Sequence, residues 1–309
     1  MVFSGTYTDN KNVSGKKAFV GYGPREDSSF RVSAIRKNDV LEVFNVIYTL
    51  HNGGRWIPFN NNLNTKNVFF LGCSHVFGDG LNDNRTLPYY FNKFTHEQYN
   101  VRNLAFSGYG THQALKIVEN KILKTTRELD TNYVIYSFIP THIEKAAGFP
   151  IWEKNTPNFE VEENQLVYKG SFEDNTLIKS NYLTKRIEII WRNSYLFKSF
   201  FEPKIEKKDV VRVVEMIKKM KFLLHQKNIQ FIILINREQF DNEFETFFYE
   251  NLKKNNIDYY FIDSILKSSN KNIYKIIGDG HPNEKYNEEV AAFLSKEISL
   301  KENQINYQD

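Results

Sequence analysis

The chain has almost no sulfur chemistry and no long apolar stretch. A single cysteine, Cys73, stands among 309 residues, which rules out a disulfide within the chain and leaves the redox compartment open. No apolar run approaches the roughly 20 residues that span a bilayer, so no membrane span is expected. The opening Met1-Val2-Phe3-Ser4-Gly5-Thr6 lacks a basic segment followed by an apolar one, so no signal peptide is expected either. These absences point to the cytoplasm by default, with a periplasmic or extracellular setting open if the chain is a fragment. Charge of one sign is scarce too: 41 basic against 37 acidic residues leave a net +4. The lysines between Lys204 and Lys221 are interrupted by Glu206, Asp209 and Glu215, the pattern of a solvated helix face, so no nucleic-acid partner is expected. Repeats and low-complexity tracts are missing. No His/Asp pair has helical ligand spacing beside a third ligand, and neither a metal nor another cofactor is expected.

What is present is enough apolar material for a large core. At 41% hydrophobic and 25% charged, the length allows one large α/β domain or such a domain with an accessory piece. Residues 1–65 are polar and turn-rich with one β signal. Val40 to Leu50 is β-branched and aromatic, and it runs through Asn52-Gly53-Gly54 into Arg55-Trp56-Ile57, which predicts a hairpin in an N-terminal β-rich accessory segment. From Lys66 onward strand and helix patterns alternate. Strands are expected at Val68–Leu71, Tyr99–Leu104, Tyr133–Ile139, Gln230–Ile235 and Asp258–Ile262. Helices are expected at Leu87–Phe94, His112–Leu129, Lys208–Gln226, Asp241–Asn255 and Asn283 to about Lys296. This alternation predicts a parallel sheet with helices on both faces. Residues from about 146 to 205 break the rhythm as an insertion, with a hairpin around Phe159–Tyr168 and a helix at Leu183–Phe197.

Four blocks carry chemistry, and all fall at strand carboxyl ends or the equivalent final loop, where ligands of such sheets sit. They are Gly72-Cys73-Ser74-His75, Asn103-Leu104-Ala105-Phe106-Ser107-Gly108, Ser137-Phe138-Ile139-Pro140-Thr141-His142, and Gly278-Asp279-Gly280-His281-Pro282. A serine hydroxyl needs a base to become a nucleophile. His281 can be that base, since imidazole titrates near neutral pH. A carboxylate on its second nitrogen, Asp279, would fix the tautomer and stabilise the imidazolium. Cys73 is a rival nucleophile, although neighbouring residues point in different directions and a lone cysteine commonly serves as a small buried hydrophobe. Trp152, Phe159 and Tyr168 could stack on sugars or pack the insertion.

In these blocks the chain resembles the SGNH (GDSL-type) hydrolase superfamily of esterases, lipases and carbohydrate O-acyl esterases, over roughly Lys66 to Ser299. Phe77-Gly78-Asp79-Gly80-Leu81 through Thr86-Leu87-Pro88 is also similar to a subset of uncharacterised bacterial members. The resemblance implies Ser74 as nucleophile, the Ser74 and Gly108 backbone N–H groups as oxyanion donors, and His281 as base. It departs in three places. Cys73 replaces the usual aspartate, the third block lacks the Gly-x-Asn that supplies a further oxyanion donor, and the acid lies two residues before the histidine instead of three. His75, Thr141 and His142 are left as candidate pocket residues. The implied fold is a flavodoxin-like three-layer α/β sandwich with a central parallel sheet over 66–309, plus the N-terminal segment. The implied function is serine-dependent ester hydrolysis through an acyl-enzyme, removing small acyl groups from a carbohydrate or similar polar substrate. An O-acyltransferase using the same triad, and a non-catalytic glycan-binding module on this scaffold, remain open at this point, as does the oligomeric state.

Overall fold

The computed structural model describes residues 6–8, 14–25, 28–35, 42–60, 63–125, 132–174, 204–238, 240 and 242–306. Its spine is a nine-stranded mixed sheet. Five strands form the parallel half: β7 (Asn67–Leu71), β8 (Asn100–Asn103), β9 (Asn132–Phe138), β12 (Ile229–Ile235) and β13 (Asp258–Phe261), in the order β8-β7-β9-β12-β13. That is the flavodoxin-like order, second strand first, with its switch point between the first and third strands of the unit. These strands are near-continuous apolar runs because helices cover both faces: every residue of β9 is buried.

The remaining strands are β1 (Thr6–Thr8), β2 (Ser14–Lys17), β3 (Gly21–Pro24), β4 (Ser28–Ile35), β5 (Glu42–His51), β6 (Gly54–Arg55) and the β10 (Pro157–Glu162)/β11 (Gln165–Ser171) pair. The expected hairpin is β5–β6, turning through Asn52 and Gly53. The sheet is not wholly parallel, however. Strands β1, β4, β5 and β6 extend it antiparallel, joined to β8 by the Arg55–Asn103 pair. The physical reason lies in the alternation along β5, where Phe44, Val46, Tyr48 and Leu50 are buried while Asn45 and Ile47 are exposed. One face of these strands needs a core, and the sheet edge at β8 supplies it.

The helices are α1 (Ser74–Phe77), α2 (Leu87–Phe94), α3 (Thr111–Ile117), α4 (Leu123–Thr125), α5 (Thr141–Ala146), α6 (Lys207–His225), α7 (Asn242–Lys254), α8 (Ile262–Ile265) and α9 (Glu284–Asn306). Helices α2 and α9 pack together on one face, and α3, α5, α6 and α7 on the other. The helix expected over His112–Leu129 begins at Thr111 and passes through a π-turn at Val118–Ile122, where Asn120 Nδ2 donates to the Lys116 carbonyl (3.0 Å); residues 126–129 lie outside the described residues. The last helix runs beyond Lys296 because its apolar stripe continues: Val290, Leu294 and Ile298 are all fully buried. The hairpin expected around Phe159–Tyr168 is β10–β11, and the helix expected at Leu183–Phe197 lies outside the described residues. The insertion is pinned to α3 by a buried cluster in which His112 Nε2 meets Glu153 Oε2 and Thr156 Oγ1, each at 3.1 Å. Among the described residues no helix is long and apolar enough to cross a membrane.

Candidate active site

Ser74 is the first residue of α1, directly beyond the buried end of β7. The helical turn is short because Gly78 closes it in the left-handed region (φ 86°), with its N–H on the Ser74 carbonyl (2.8 Å). A side chain at Gly78 would be strained and would strike Thr86 Cγ2 at 2.7 Å. The turn is clamped from below by Arg55 of β6. Its guanidinium donates to the carbonyls of Phe77 (2.9 Å), Gly78 (2.6 Å) and Leu81 (2.5 Å), pairs with Asp83 (3.0 Å) and lies over the Tyr48 ring. Asn103, at the end of β8, adds a bond from Nδ2 to the Val76 carbonyl (3.0 Å). Cys73 is buried at the N-cap, 1% exposed, with its side chain in the core.

The final loop delivers the other two groups. His281 Nε2 lies 2.9 Å from Ser74 Oγ, and His281 Nδ1 lies 2.5 Å from Asp279 Oδ2. The two-residue spacing works because the Gly278–Gly280 turn folds Asp279 back on the histidine, with the N–H groups of Asp279 and Gly280 both on the Ile276 carbonyl. Ile276 N–H in turn binds the His281 carbonyl (2.8 Å), and Asn283 Nδ2 ties the Ile273 and Lys275 carbonyls. Burial works against the His281 imidazolium. The Asp279 hydrogen bond and the charges of Asp79 and Asp279 more than offset it, so His281 titrates above the ordinary histidine value.

Gly108 sits on the loop after β8 with φ 84°, a conformation that favours glycine. Neither its N–H nor that of Ser74 has a hydrogen-bond partner among the described residues, so both are free to serve an incoming oxygen. A Cβ built on Gly108 would meet Tyr22 Oη at 2.6 Å and Trp152 Nε1 at 3.6 Å. The loop thus lies under two aromatic residues, one from β3 and one from the insertion. Lys145 of α5 donates to the Tyr109 carbonyl (3.3 Å) on the same loop.

The candidate pocket residues separate. His75 is half-buried with its ring edge-on to His281, centroids 5.7 Å apart. It lines a narrow cleft together with Asn236, Glu238, Tyr274, Lys275 and Tyr286. Burial first, then the charges of His281, Lys145 and Lys275, push its pKa down to about 3, so the ring is neutral. Thr141 is half-buried at the start of α5. His142 is a correction: it is fully buried, stacked on Tyr136, and its Nδ1 pairs with the Tyr136 hydroxyl (2.8 Å), which also meets Thr111 Oγ1. A ring closed off this way supports the floor and cannot line the pocket. Of the aromatics named for sugar stacking, Phe159 is buried and Tyr168 packs against it with the Lys116 ammonium 3.8 Å from its ring centre. Trp152 alone of the three lies beside Gly108, half exposed.

Two neighbours of the site carry no role in the sequence reading. Asp79 accepts from Ser107 Oγ through both carboxylate oxygens (2.7 and 2.8 Å), so it clasps the Gly108 loop to the serine turn. Its signal was its place in the Phe77–Leu81 run, five residues past Ser74. Tyr22 had none, because the contact that places it spans 87 residues of chain.

No family profile matches the sequence, and no curated protein matches it. Solved structures with a related chain trace include a G-D-S-L family protein from Desulfitobacterium hafniense, 12% identical, covering 75% of this chain and 99% of its own, with a TM-score of 0.43. An acetyl xylan esterase from the rumen bacterium Butyrivibrio proteoclasticus is 11% identical, covers 81% and 67%, and has a TM-score of 0.41. An SGNH-hydrolase family esterase is 10% identical, covers 76% and 96%, and has a TM-score of 0.37. At such identities the likeness concerns the course of the chain, and what the site can do follows from its own geometry.

Proposed function

We propose that the chain is a serine-dependent ester hydrolase of the SGNH type, with residues 66–309 forming the hydrolase unit and residues 1–65 its accessory segment. The observation that carries this reading is the unbroken line Ser74 Oγ, His281 Nε2, His281 Nδ1, Asp279 Oδ2, at 2.9 and 2.5 Å. Ser74 Oγ attacks the ester carbonyl carbon as its proton passes to His281 Nε2, and the carbonyl π pair moves onto oxygen. Asp279 accepts from Nδ1–H and stabilises the imidazolium. The Ser74 and Gly108 N–H groups donate to the oxyanion, interactions worth on the order of 3 kcal/mol each in comparable sites. His281 then returns the proton to the leaving alkoxide, and water, activated by the same imidazole, releases the acid from the acyl-enzyme.

The substrate is a small acyl ester of a carbohydrate or similarly polar alcohol. Support comes from the polar walls beside His75, namely Asn236, Glu238 and Lys275, and from the half-exposed indole of Trp152 next to Gly108, a surface suited to a sugar face. The test is Ser74→Ala against p-nitrophenyl acetate and a fluorophosphonate probe. Turnover is expected to fall by at least about 10³-fold and labelling to vanish. Labelling that persists in the variant overturns the assignment.

A further inference from the structure

The Tyr22 hydroxyl is buried, and its proton has no acceptor among the described residues. A polar group left so costs about 1–3 kcal/mol and calls for a reason. It does not arise from poor packing. The ring meets Phe106 and Tyr109 at centroid distances of 6.3 and 5.5 Å, and the Tyr109 hydroxyl donates to the Tyr22 carbonyl at 2.9 Å. The β2–β3 hairpin is therefore seated on the Phe106–Gly110 loop, with the phenol oxygen held against Gly108 on the side where a Cβ would project. Beside it stands Gln113, whose Oε1 is taken by the Gly110 N–H (2.7 Å) and whose Nε2 can only donate to the phenol oxygen. The phenol proton is thus left free. Burial, and then the charge of Glu153, raise the Tyr22 pKa well above that of a solvated tyrosine, so the proton stays in place at any working pH.

We propose that the Tyr22 O–H is a catalytic hydrogen-bond donor to the oxyanion, standing beside the Ser74 and Gly108 N–H groups and supplied by the N-terminal hairpin. This rests on the hydrolase reading above. When Ser74 Oγ bonds the carbonyl carbon and charge gathers on the carbonyl oxygen, Tyr22 donates a hydrogen bond and keeps its proton, while the serine proton goes to His281. A donor that is dry and unpartnered in the resting site strengthens as that charge develops, which makes it selective for the transition state.

Tyr22→Phe removes the hydroxyl and keeps the ring contacts. With p-nitrophenyl acetate, kcat is expected to fall on the order of 10²-fold with KM within about threefold, and fluorophosphonate labelling to slow in parallel. Tyr109→Phe breaks the bond to the Tyr22 carbonyl and leaves the Tyr22 hydroxyl in place, and its kcat is expected to stay within about threefold of the parent. Thermal unfolding of both variants checks that they are folded. Unchanged kcat in Tyr22→Phe, with Ser74→Ala inactive, overturns the donor role and leaves the hydrolase reading standing. An equal loss in Tyr109→Phe overturns it too, since docking of the hairpin would then explain the effect. A parent enzyme with neither turnover nor labelling overturns the hydrolase reading itself, and this inference with it.

Discussion

With Asp79 and Asp279 both acting on it, the His281 imidazole holds its proton to a higher pH than a solvated histidine does. A protonated base cannot take the Ser74 proton, so kcat/KM falls as pH drops through the His281 pKa, and the raised pKa moves that acid limb upward. Burial raises the Asp79 carboxyl, opposed by the His281 charge and the Ser107 bond. Asp79→Asn removes one of the two charges that favour the imidazolium, and the acid limb of kcat/KM is expected to move to lower pH. Ser107→Ala breaks the clasp and keeps the charge, so its limb should stay where it is. A pH–rate profile of the two variants separates the roles, and an unmoved limb in Asp79→Asn would sink this electrostatic account. The residues that meet along the Ser74–His281–Asp279 line were legible in the sequence because each stands in a short stretch with its own punctuation: an apolar strand cut by glycine before Ser74, a glycine turn and a proline around His281. Asp79 and Tyr22 were not, because their roles depend on which loops meet across the fold.

At the scale of elements, the serine turn depends on a two-residue strand. Arg55 of β6 is wholly buried and fastens the carbonyls at the end of α1, with Asp83 as its counter-ion. Removing one partner of such a pair leaves a carboxylate in a place with little water, at a cost of about 3–5 kcal/mol. Arg55→Met should therefore lower the urea midpoint sharply. Arg55→Lys should recover little of it, because an ammonium cannot reach the several carbonyls that the planar guanidinium spans. A midpoint within error of the parent in Arg55→Met would show that the clamp contributes nothing. The strands of the parallel half were readable from composition, each being an apolar run between breakers. The return strand at Arg55 was readable too, through its glycine turn, but its partnership with β8 was not: a single Arg55–Asn103 pair leaves no pattern in either segment.

For the whole molecule, strands β1, β4, β5 and β6 belong to the same sheet as the parallel half, and Tyr48, Leu50 and Ile57 share its core at no more than 3% exposure. A chain beginning at Lys66 would expose the β8 edge and leave Asp83 without its guanidinium. It is expected to lose the near-UV circular dichroism of the parent and to bind a hydrophobic dye, whereas a cooperative unfolding transition like the parent's would show that the segment is dispensable. The alternation from Lys66 onward announced helices on both faces of a sheet. It could not announce that the sheet continues antiparallel, because that depends on which edge the earlier strands find.

The 207-residue separation of Ser74 and His281 has a consequence during synthesis. Domains take shape from the N-terminus as the chain leaves the ribosome, so the clamp at Arg55, the serine turn and the Gly108 loop all emerge well before the histidine. Throughout that interval the hydroxyl has no base and is as inert as any other serine. On the hydrolase reading, activity waits for the histidine, and a nascent or C-terminally truncated chain that lacks His281 is expected to leave esters untouched.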